Sequence, residues 1–249
     1  MSMDDLTNRQ TDILKALIRE YTETGEPIGS EMLEKKYRLG FSPATIRNEM
    51  VVLEKKGYLV KEYFSAGRVP SARAFRFYIN HLMKEKHIST GDEVAYKHGI
   101  WDERRDTQRL LSHAAKLLAH KTGLLAVVAT NHGDMYYAGV GNLLILPEFA
   151  DSSLTRSLYM RLDEISFWTQ VLERLGAIEG NVYVMLGAED FRDPLYESCA
   201  SIMGGFTSPL VSGMIGVIGP KRMYYDALTP QIRYFSDLIS QIITDTHKA

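Results

Sequence analysis

Cysteine is almost absent from this 249-residue sequence, and that absence removes several classes of protein at once. The one cysteine, Cys199, excludes an internal disulfide and any metal site built from several cysteines. It lies in the apolar stretch SCASIMGG, so we interpret it as a packing residue and leave a catalytic thiol as the alternative.

Long hydrophobic runs are also lacking. The longest, such as LLAVVA at 124–129, are far shorter than the roughly 20 residues that span a bilayer. The first residues show no charged and then apolar leader. We therefore expect a cytoplasmic protein with no membrane partner.

The residue patterns of common enzymes are not found either. The glycine pairs in AGVGN and GVIGP lack the spacing of nucleotide-binding loops, and no Ser/His/Asp or paired-carboxylate pattern stands out. The histidines form no HExxH motif and no spacing typical of a metal site; they stand at 81, 87, 98, 113, 120, 132 and 247. We expect no catalytic residues, no cofactor and no metal.

Net charge is small, at −2, but it is distributed unevenly along the chain. Residues 1–87 carry 15 Lys and Arg against 12 Asp and Glu, whereas residues 88–249 carry 14 against 19. Within 41–86 the count is 9 basic against 4 acidic residues. This basic segment is either a solvated surface or the binding site of an anionic partner.

Three short helices are predicted before residue 57. Thr7 and Gln10 form a capping box for the first, and Ser30 is the expected cap of the second, which should end at Gly40. Ser42 caps the third, with Pro43 in the first helical position. A tight turn before the third helix is typical of a helix-turn-helix.

The outer face of the third helix carries the clearest functional signal. If Ile46 points inward, Met50 and Leu53 follow it at helical spacing. The opposite side then carries small and hydrogen-bonding side chains: Ala44, Thr45, Arg47, Asn48, Val51 and Lys55. Small residues allow close approach to the major groove, arginine pairs with guanine and asparagine with adenine. This face therefore predicts contacts with DNA bases.

A strand, a turn and a short return follow this helix, in the order YLVKEYF, SAGR and VPS. Such a hairpin directly after the third helix is the wing of a winged helix. Gly67 would permit the sharp turn, and Arg68 at its tip would contact a phosphate or a narrow minor groove. A surface hairpin with a solvated arginine is the alternative.

Five segments of the chain resemble the HrcA heat-shock repressors of bacteria. They are LTNRQTDILKALIREYTETGEPIGSEML, GFSPATIRNEMVVLEKKGYL, SAGRVPSARAFRFYINHL, AGVGNLLILPEFAD and IGVIGPKRMYY. The resemblance implies a repressor of chaperone operons that binds an inverted-repeat operator as a dimer and is kept active by the chaperonin GroEL. The DNA-contacting helix and wing of that family correspond here to 42–56 and 63–70.

Seven residues are the predicted DNA contacts. Thr45, Arg47 and Asn48 should read base edges, and Ser42 should hold a phosphate at the start of its helix. The remaining predicted residues should contact the DNA backbone or minor groove: Lys56, Ser65 and Arg68.

The rest of the chain predicts an α+β protein, with the winged helix-turn-helix domain at 1–87 followed by a linker at 88–101 and a second domain at 102–249. That domain begins with a helix ending at Gly123. Strand-like runs follow at LLAVVAT, MYYAGVGNLLIL, NVYVMLG, ESCASIMGG and LVSGMIGVIG, and helices are predicted at 153–176 and after a Thr229 cap. By resemblance this domain should be a GAF-like α/β sheet domain.

The sequence departs from the family pattern at NHGDM, residues 131–135. Most HrcA proteins carry an inserted dimerisation domain here, whereas this connection has the length of a hairpin loop. A homodimer must then form through the helix at 102–121 or through the sheet.

Two other functions stay open. One is a winged-helix regulator that senses a small molecule in the GAF-like domain, with Tyr136, Asn142 and Arg222 as scattered polar candidates. The other is an enzyme with an accessory DNA-binding domain.

Overall fold

A computed structural model describes residues 6–61, 67–175 and 181–248 of the chain. By its internal contacts the chain divides into two compact units. The first comprises Met1–Lys84 with Lys221–Tyr224, and the second comprises Glu85–Pro220 with Tyr225–Ala249.

The first unit is a winged helix. Its elements are, in chain order, α1 (Asn8–Thr24), α2 (Ser30–Tyr37), α3 (Pro43–Lys55), β1 (Leu59–Val60), β2 (Val69–Pro70) and α4 (Ala72–Phe77), which continues as a π-helical turn at Tyr78–Leu82. The core between these helices is apolar and closed; its fully buried members include Ile13, Leu14, Leu17, Leu33, Ile46, Leu53 and Phe75. The predicted helix-turn-helix and wing are confirmed.

Helix ends in this unit follow the sequence signals in most places. The predicted capping box is present, since the Thr7 side chain accepts from Gln10 N and the Gln10 side chain accepts from Thr7 N. Ser42 caps α3 with Pro43 in its first turn, as predicted. For α2 the prediction was wrong. Its cap is Gly29, which has no side-chain hydrogen bond, and it ends at Arg38 in the left-handed region with φ 46°.

A third strand segment completes the wing, and the sequence did not reveal it. Ile28, between α1 and α2, pairs with Arg68 through two backbone hydrogen bonds of 2.9 Å. Gly67 precedes this bridge, and a Cβ added there would lie 2.5 Å from the carbonyl group of Ile28. The glycine therefore allows two backbones to approach closely, a different role from the turn that the sequence predicted.

The second unit contains a sheet covered by helices. Its elements are, in chain order, α5 (Thr90–Trp101), α6 (Thr107–Thr122), β3 (Leu125–Thr130), β4 (Met135–Ala138), α7 (Val140–Leu144), α8 (Ser152–Asp163), α9 (Ile165–Leu175), β5 (Val182–Leu186), α10 (Gly187–Phe191), β6 (Cys199–Thr207), β7 (Ser212–Pro220) and α11 (Tyr225–Lys248). Single 3₁₀ turns lie at Pro147–Phe149 and Pro194–Tyr196.

Five strands of the described residues form one antiparallel sheet in the order β4-β3-β7-β6-β5. The sheet places β3 beside β7, although more than 80 residues separate these two strands in the chain. Cys199 is fully buried at the start of β6. The predicted mixed helix and sheet domain is confirmed, while its GAF-like character stays a prediction.

The residues predicted as a linker, 88–101, are instead mostly the helix α5. Ser89 caps it by accepting from Asp92 N. Gly99 allows α5 to lie close to α6, since a Cβ there would be 2.6 Å from Leu117 Cδ2. This stretch therefore belongs to the second unit, whose contacts begin at Glu85.

Two further predictions in the second unit were wrong in their limits. The run MYYAGVGNLLIL is a strand only to Ala138, because Gly139 adopts φ 84° and α7 follows. The single helix predicted at 153–176 is two helices, α8 and α9, separated at Glu164. By contrast, NHGDM is the predicted hairpin: β3 and β4 pair directly, with Thr130 N donating to Asp134 O at 3.0 Å.

The last helix does not begin where its cap was predicted. Helix α11 begins at Tyr225, so Thr229 and Pro230 lie inside it. Thr229 is buried, and its hydroxyl has no hydrogen-bond partner among the described residues.

Within the described ranges, no helix is both long and apolar enough to traverse a lipid bilayer.

We predict that Gly67→Ala destabilises the wing by about 1 to 3 kcal/mol, because the new methyl group would overlap the backbone of Ile28. Native-state hydrogen exchange at the amides of Ile28 and Arg68 measures this loss. Gly29→Ala is the matched control, since a Cβ there meets no atom within 4 Å. Unchanged exchange in Gly67→Ala would contradict the close approach.

Candidate nucleic-acid interface

Helix α3 presents an exposed face whose first turn is well ordered by its cap. The Ser42 hydroxyl accepts a hydrogen bond from Thr45 N at 3.2 Å and lies 2.9 Å from the Thr45 hydroxyl. Ile46, Met50 and Leu53 are buried, which turns the opposite side of the helix to solvent. The two hydroxyls thus lie together at the N-terminus of α3, a favourable arrangement for a phosphate.

The two residues best suited to base readout are free to bind. Arg47 and Asn48 are exposed, and neither makes a side-chain hydrogen bond or ion pair with any described residue. Lys55, two turns further along the same side, is exposed and equally unpaired within the described ranges. Val51 lies between them, half-buried. The solvent side of α3 therefore carries cationic and amide groups with no partner in the part of the chain that the structure describes.

The acidic residues of α3 point to its flanks, and other elements neutralise them. Glu49 Oε1 lies 2.7 Å from Arg9 Nε, and its Oε2 accepts from Gln10 Nε2 at 2.9 Å. Glu54 Oε2 lies 2.8 Å from Arg68 Nε on the other flank. Both carboxylates are thus held against neighbouring elements and neutralised there.

Gln10 connects two helices, α1 and α3, through one side-chain amide. Its Nε2 donates to Glu49, and its Oε1 accepts from Thr7 N at 3.2 Å and from Lys56 Nζ at 3.3 Å. The side chain is buried, so these bonds are shielded from water. They join the start of α1 to the middle and the end of α3.

A second cluster of polar side chains, Glu20, Lys36 and Tyr37, holds α2 on α1. Glu20 is only 5% exposed; its Oε2 lies 2.6 Å from Lys36 Nζ and accepts from Tyr37 OH at 2.9 Å. Burial, together with the hydrogen bond to Glu20, raises the pKa of Tyr37 to about 12. Since α2 leads directly into the turn before α3, this group also positions the exposed helix.

Arg68 directly follows the part of the wing that lies outside the described residues, so its predicted place at the tip stays a prediction. Its backbone pairs with Ile28, and its side chain is only 14% exposed and bound to Glu54. The structure thus gives it a structural contact to α3, and the predicted phosphate contact is untested. Ser65 lies outside the described residues.

The seven predicted site residues therefore divide into groups. Ser42, Thr45, Arg47 and Asn48 share the cap and first turns of α3. Lys56 follows the end of α3, half-buried and bound to Gln10.

Sequence reasoning missed the residues that support this face. Arg9, Gln10 and Glu49 form a group across 40 positions of the chain, and no spacing rule predicts such a contact. From the sequence, Gln10 is predicted only to take part in the capping box of the first helix. Glu54 could have been suspected as a partner of Arg68, because α3 and the wing are adjacent in sequence.

The polar candidates for a small-molecule site in the second unit do not form one. Asn142 Nδ2 donates to Ala119 O at 3.3 Å and Leu124 O at 3.1 Å, so it supports the end of α6. Arg222 groups with the first unit. An enclosed apolar space near Leu143 and Phe149 measures about 10 Å³, room for one water molecule. In the described part of the chain, no group of histidine, cysteine and carboxylate side chains could hold a metal ion.

Comparison with family models gives two matches. Residues 46–228, well over half of the chain, match the HrcA protein C terminal domain. Residues 3–63 match the LexA DNA binding domain.

Curated relatives agree with these matches. The heat-inducible transcription repressor HrcA of Pelotomaculum thermopropionicum is 41% identical over 128 residues, which cover 51% of this chain and 36% of that protein. The HrcA of Carboxydothermus hydrogenoformans is 34% identical over 181 residues, covering 70% and 52%. In alignments of this kind the chain spans about a third to a half of the relative's length.

One longer alignment covers nearly the full length of this chain and of the relative. The HrcA of Syntrophobacter fumaroxidans is 24% identical over 344 positions, covering 98% of this chain and 99% of that protein. Because this chain has 249 residues, at least 95 of those positions have no counterpart in it. The crystal structure of a hypothetical protein shares the fold, with a TM-score of 0.82 at 20% identity over 97% of this chain and 100% of that one.

We predict that Arg68 and Glu54 are energetically coupled in the absence of DNA. Arg68→Ala, Glu54→Ala and the double variant should give a coupling energy of about 0.5 to 1 kcal/mol, since the pair is partly exposed. Amide hydrogen exchange in α3 gives the free energy of unfolding for each variant. Zero coupling would show that Arg68 is free for another role.

Proposed function

Because the chain belongs to the HrcA protein family, we propose that it is a sequence-specific DNA-binding transcriptional repressor of heat-shock operons. It binds an inverted-repeat operator as a homodimer and does no chemistry of its own. The observation that carries this proposal is the solvent side of α3, where Arg47 and Asn48 are exposed and unpaired within the described residues while Glu49 and Glu54 are neutralised at its flanks.

The geometry supports different DNA contacts for different parts of α3. Arg47 and Asn48 read base edges in the major groove, with Thr45 beside them near the helix start. Ser42 and the start of α3 hold a phosphate, which sets the depth and register of the helix. The DNA backbone is contacted by Lys55 and Lys56 at the end of α3. It is also contacted by the wing, through Ser65.

Charge placement supports α3 as the face that meets DNA. A carboxylate near phosphates costs binding free energy unless a cation neutralises it. Arg9 and Arg68 provide that cation for Glu49 and Glu54, so an overall acidic chain still offers DNA a cationic surface.

A dimer gives selectivity that one such helix cannot. Two half-sites contacted together roughly double the specific contacts, and palindromic operators mirror two-fold protein symmetry.

GroEL is proposed as the partner that keeps the repressor active, on the family resemblance alone. A small-molecule sensor is less well supported, because Asn142 is already bonded within the fold.

We predict that Arg47→Ala weakens operator binding by about 1 to 3 kcal/mol and relaxes the preference at one base pair, because it removes a base contact. Asn48→Ala should do the same at another position. Competition binding with single-base operator variants measures both effects. Lys55→Ala is the matched control: it should weaken all sequences about equally and lower the salt dependence. Equal loss on specific and random DNA for Arg47→Ala would contradict base readout.

We also predict that selection from random duplex DNA enriches an inverted repeat. Light scattering of the protein with the selected DNA should show two chains per duplex. Enrichment of a single half-site, with one chain bound at micromolar concentration, would contradict the dimer but leave sequence-specific binding intact.

A further inference from the structure

Pro230 leaves a backbone carbonyl of α11 without its usual helical partner. Proline has no N–H, so residue 230 cannot donate to the carbonyl of Asp226 four positions earlier. Lys86 N donates to Asp226 O instead, at 2.8 Å. A gap in the hydrogen bonding of α11 is therefore filled by the segment before α5.

Two ion pairs hold the same segment on α11. Lys86 Nζ lies 2.9 Å from Asp226 Oδ2. Arg233, about one turn after Pro230, binds both carboxylate oxygens of Glu85, with Nη1–Oε2 at 2.6 Å and Nη2–Oε1 at 2.9 Å. The Arg233 hydrogen bonds lower the pKa of Glu85, and Glu85 raises that of Arg233, so the two groups report the same attraction. Two-point binding of this kind fixes direction as well as distance.

Helix α5 continues the attachment beyond this segment. Tyr96 OH donates to Gln231 Oε1 at 3.3 Å, Tyr234 OH donates to Glu93 O at 3.0 Å, and the rings of Tyr96 and Phe235 lie 4.9 Å apart. The chain is thus held by α11 from Glu85 through α5.

These contacts lie directly after the DNA-binding unit in the chain, so they can influence how that unit is held. The N-terminal part of the first unit ends at Lys84, and the contacts with α11 begin at the next residue.

We propose that Glu85, Lys86, Pro230 and Arg233 form a clamp that fixes the chain at the exit from the DNA-binding unit and thereby sets the half-site separation that the dimer accepts. These are positioning residues, because all four belong to the second unit, whereas the proposed base contacts lie on α3 of the first. The proposal rests on the proposed function for its consequence on DNA. The clamp itself is independent of DNA.

The first experiment measures the clamp in the free protein. In Glu85→Gln/Arg233→Gln, we expect the Lys86 amide to exchange roughly two- to fivefold faster, a modest gain because both side chains are more than a third exposed. Pro230→Ala should also speed this exchange, because the restored N–H competes for Asp226 O. The charge-swapped double variant Glu85→Arg/Arg233→Glu should regain most of the protection that Glu85→Arg loses. Unchanged exchange in Glu85→Gln/Arg233→Gln, Pro230→Ala and Glu85→Arg would overturn the clamp.

The second experiment uses the inverted repeat selected from random DNA, with its half-sites moved apart or together by 1 to 4 base pairs. Wild type should bind the native separation best, whereas Glu85→Gln/Arg233→Gln should lose at least half of that preference and keep its affinity for a single half-site. Arg105→Gln is the control, an exposed arginine of the second unit without a partner among the described residues. An unchanged preference despite faster exchange would overturn the positioning role. A wild type that binds no inverted repeat would contradict the proposed function, and the exchange result would still decide the clamp.

Discussion

Neutralisation of the two carboxylates on α3 is the interaction on which the candidate interface depends. A helix that meets DNA phosphates cannot carry unpaired acids beside its contact face, yet Glu49 and Glu54 occupy two of its thirteen positions. The fold places Arg9 and Gln10 on one flank and Arg68 on the other. The same contacts tie α3 to α1 and to the wing, so charge compensation and helix orientation have one origin.

Several side chains serve both the local and the tertiary structure of the first unit. Gln10 caps α1 and also bonds Glu49 and Lys56, so loss of this amide would affect a helix end and a helix packing contact together. Arg68 combines a backbone bridge to Ile28 with its ion pair to Glu54. Such sharing makes the surface of α3 rigid, which favours recognition because little side-chain and backbone order has to be gained on binding.

The second unit shows how a proline inside a helix becomes an attachment point. Its missing N–H leaves Asp226 O free to accept from Lys86, and Arg233 then binds the neighbouring Glu85. The hairpin between β3 and β4 is equally direct, because only four residues join the two strands.

The sequence by itself determined the elements that depend on near neighbours. The Thr7–Gln10 box, the Ser42–Pro43 start of α3, its inward Ile46 and its outward Arg47 and Asn48 all follow from contacts within about one turn, which spacing rules describe. The family resemblance likewise depended on such local segments. Tertiary structure alone decided the ends of α2, the strand at Ile28, the helix in the predicted linker and the start of α11 before Pro230. It also decided that the Arg68 side chain binds Glu54. Each of these is set by a partner distant in sequence, and backbone pairing or burial against that partner outweighs the local signal.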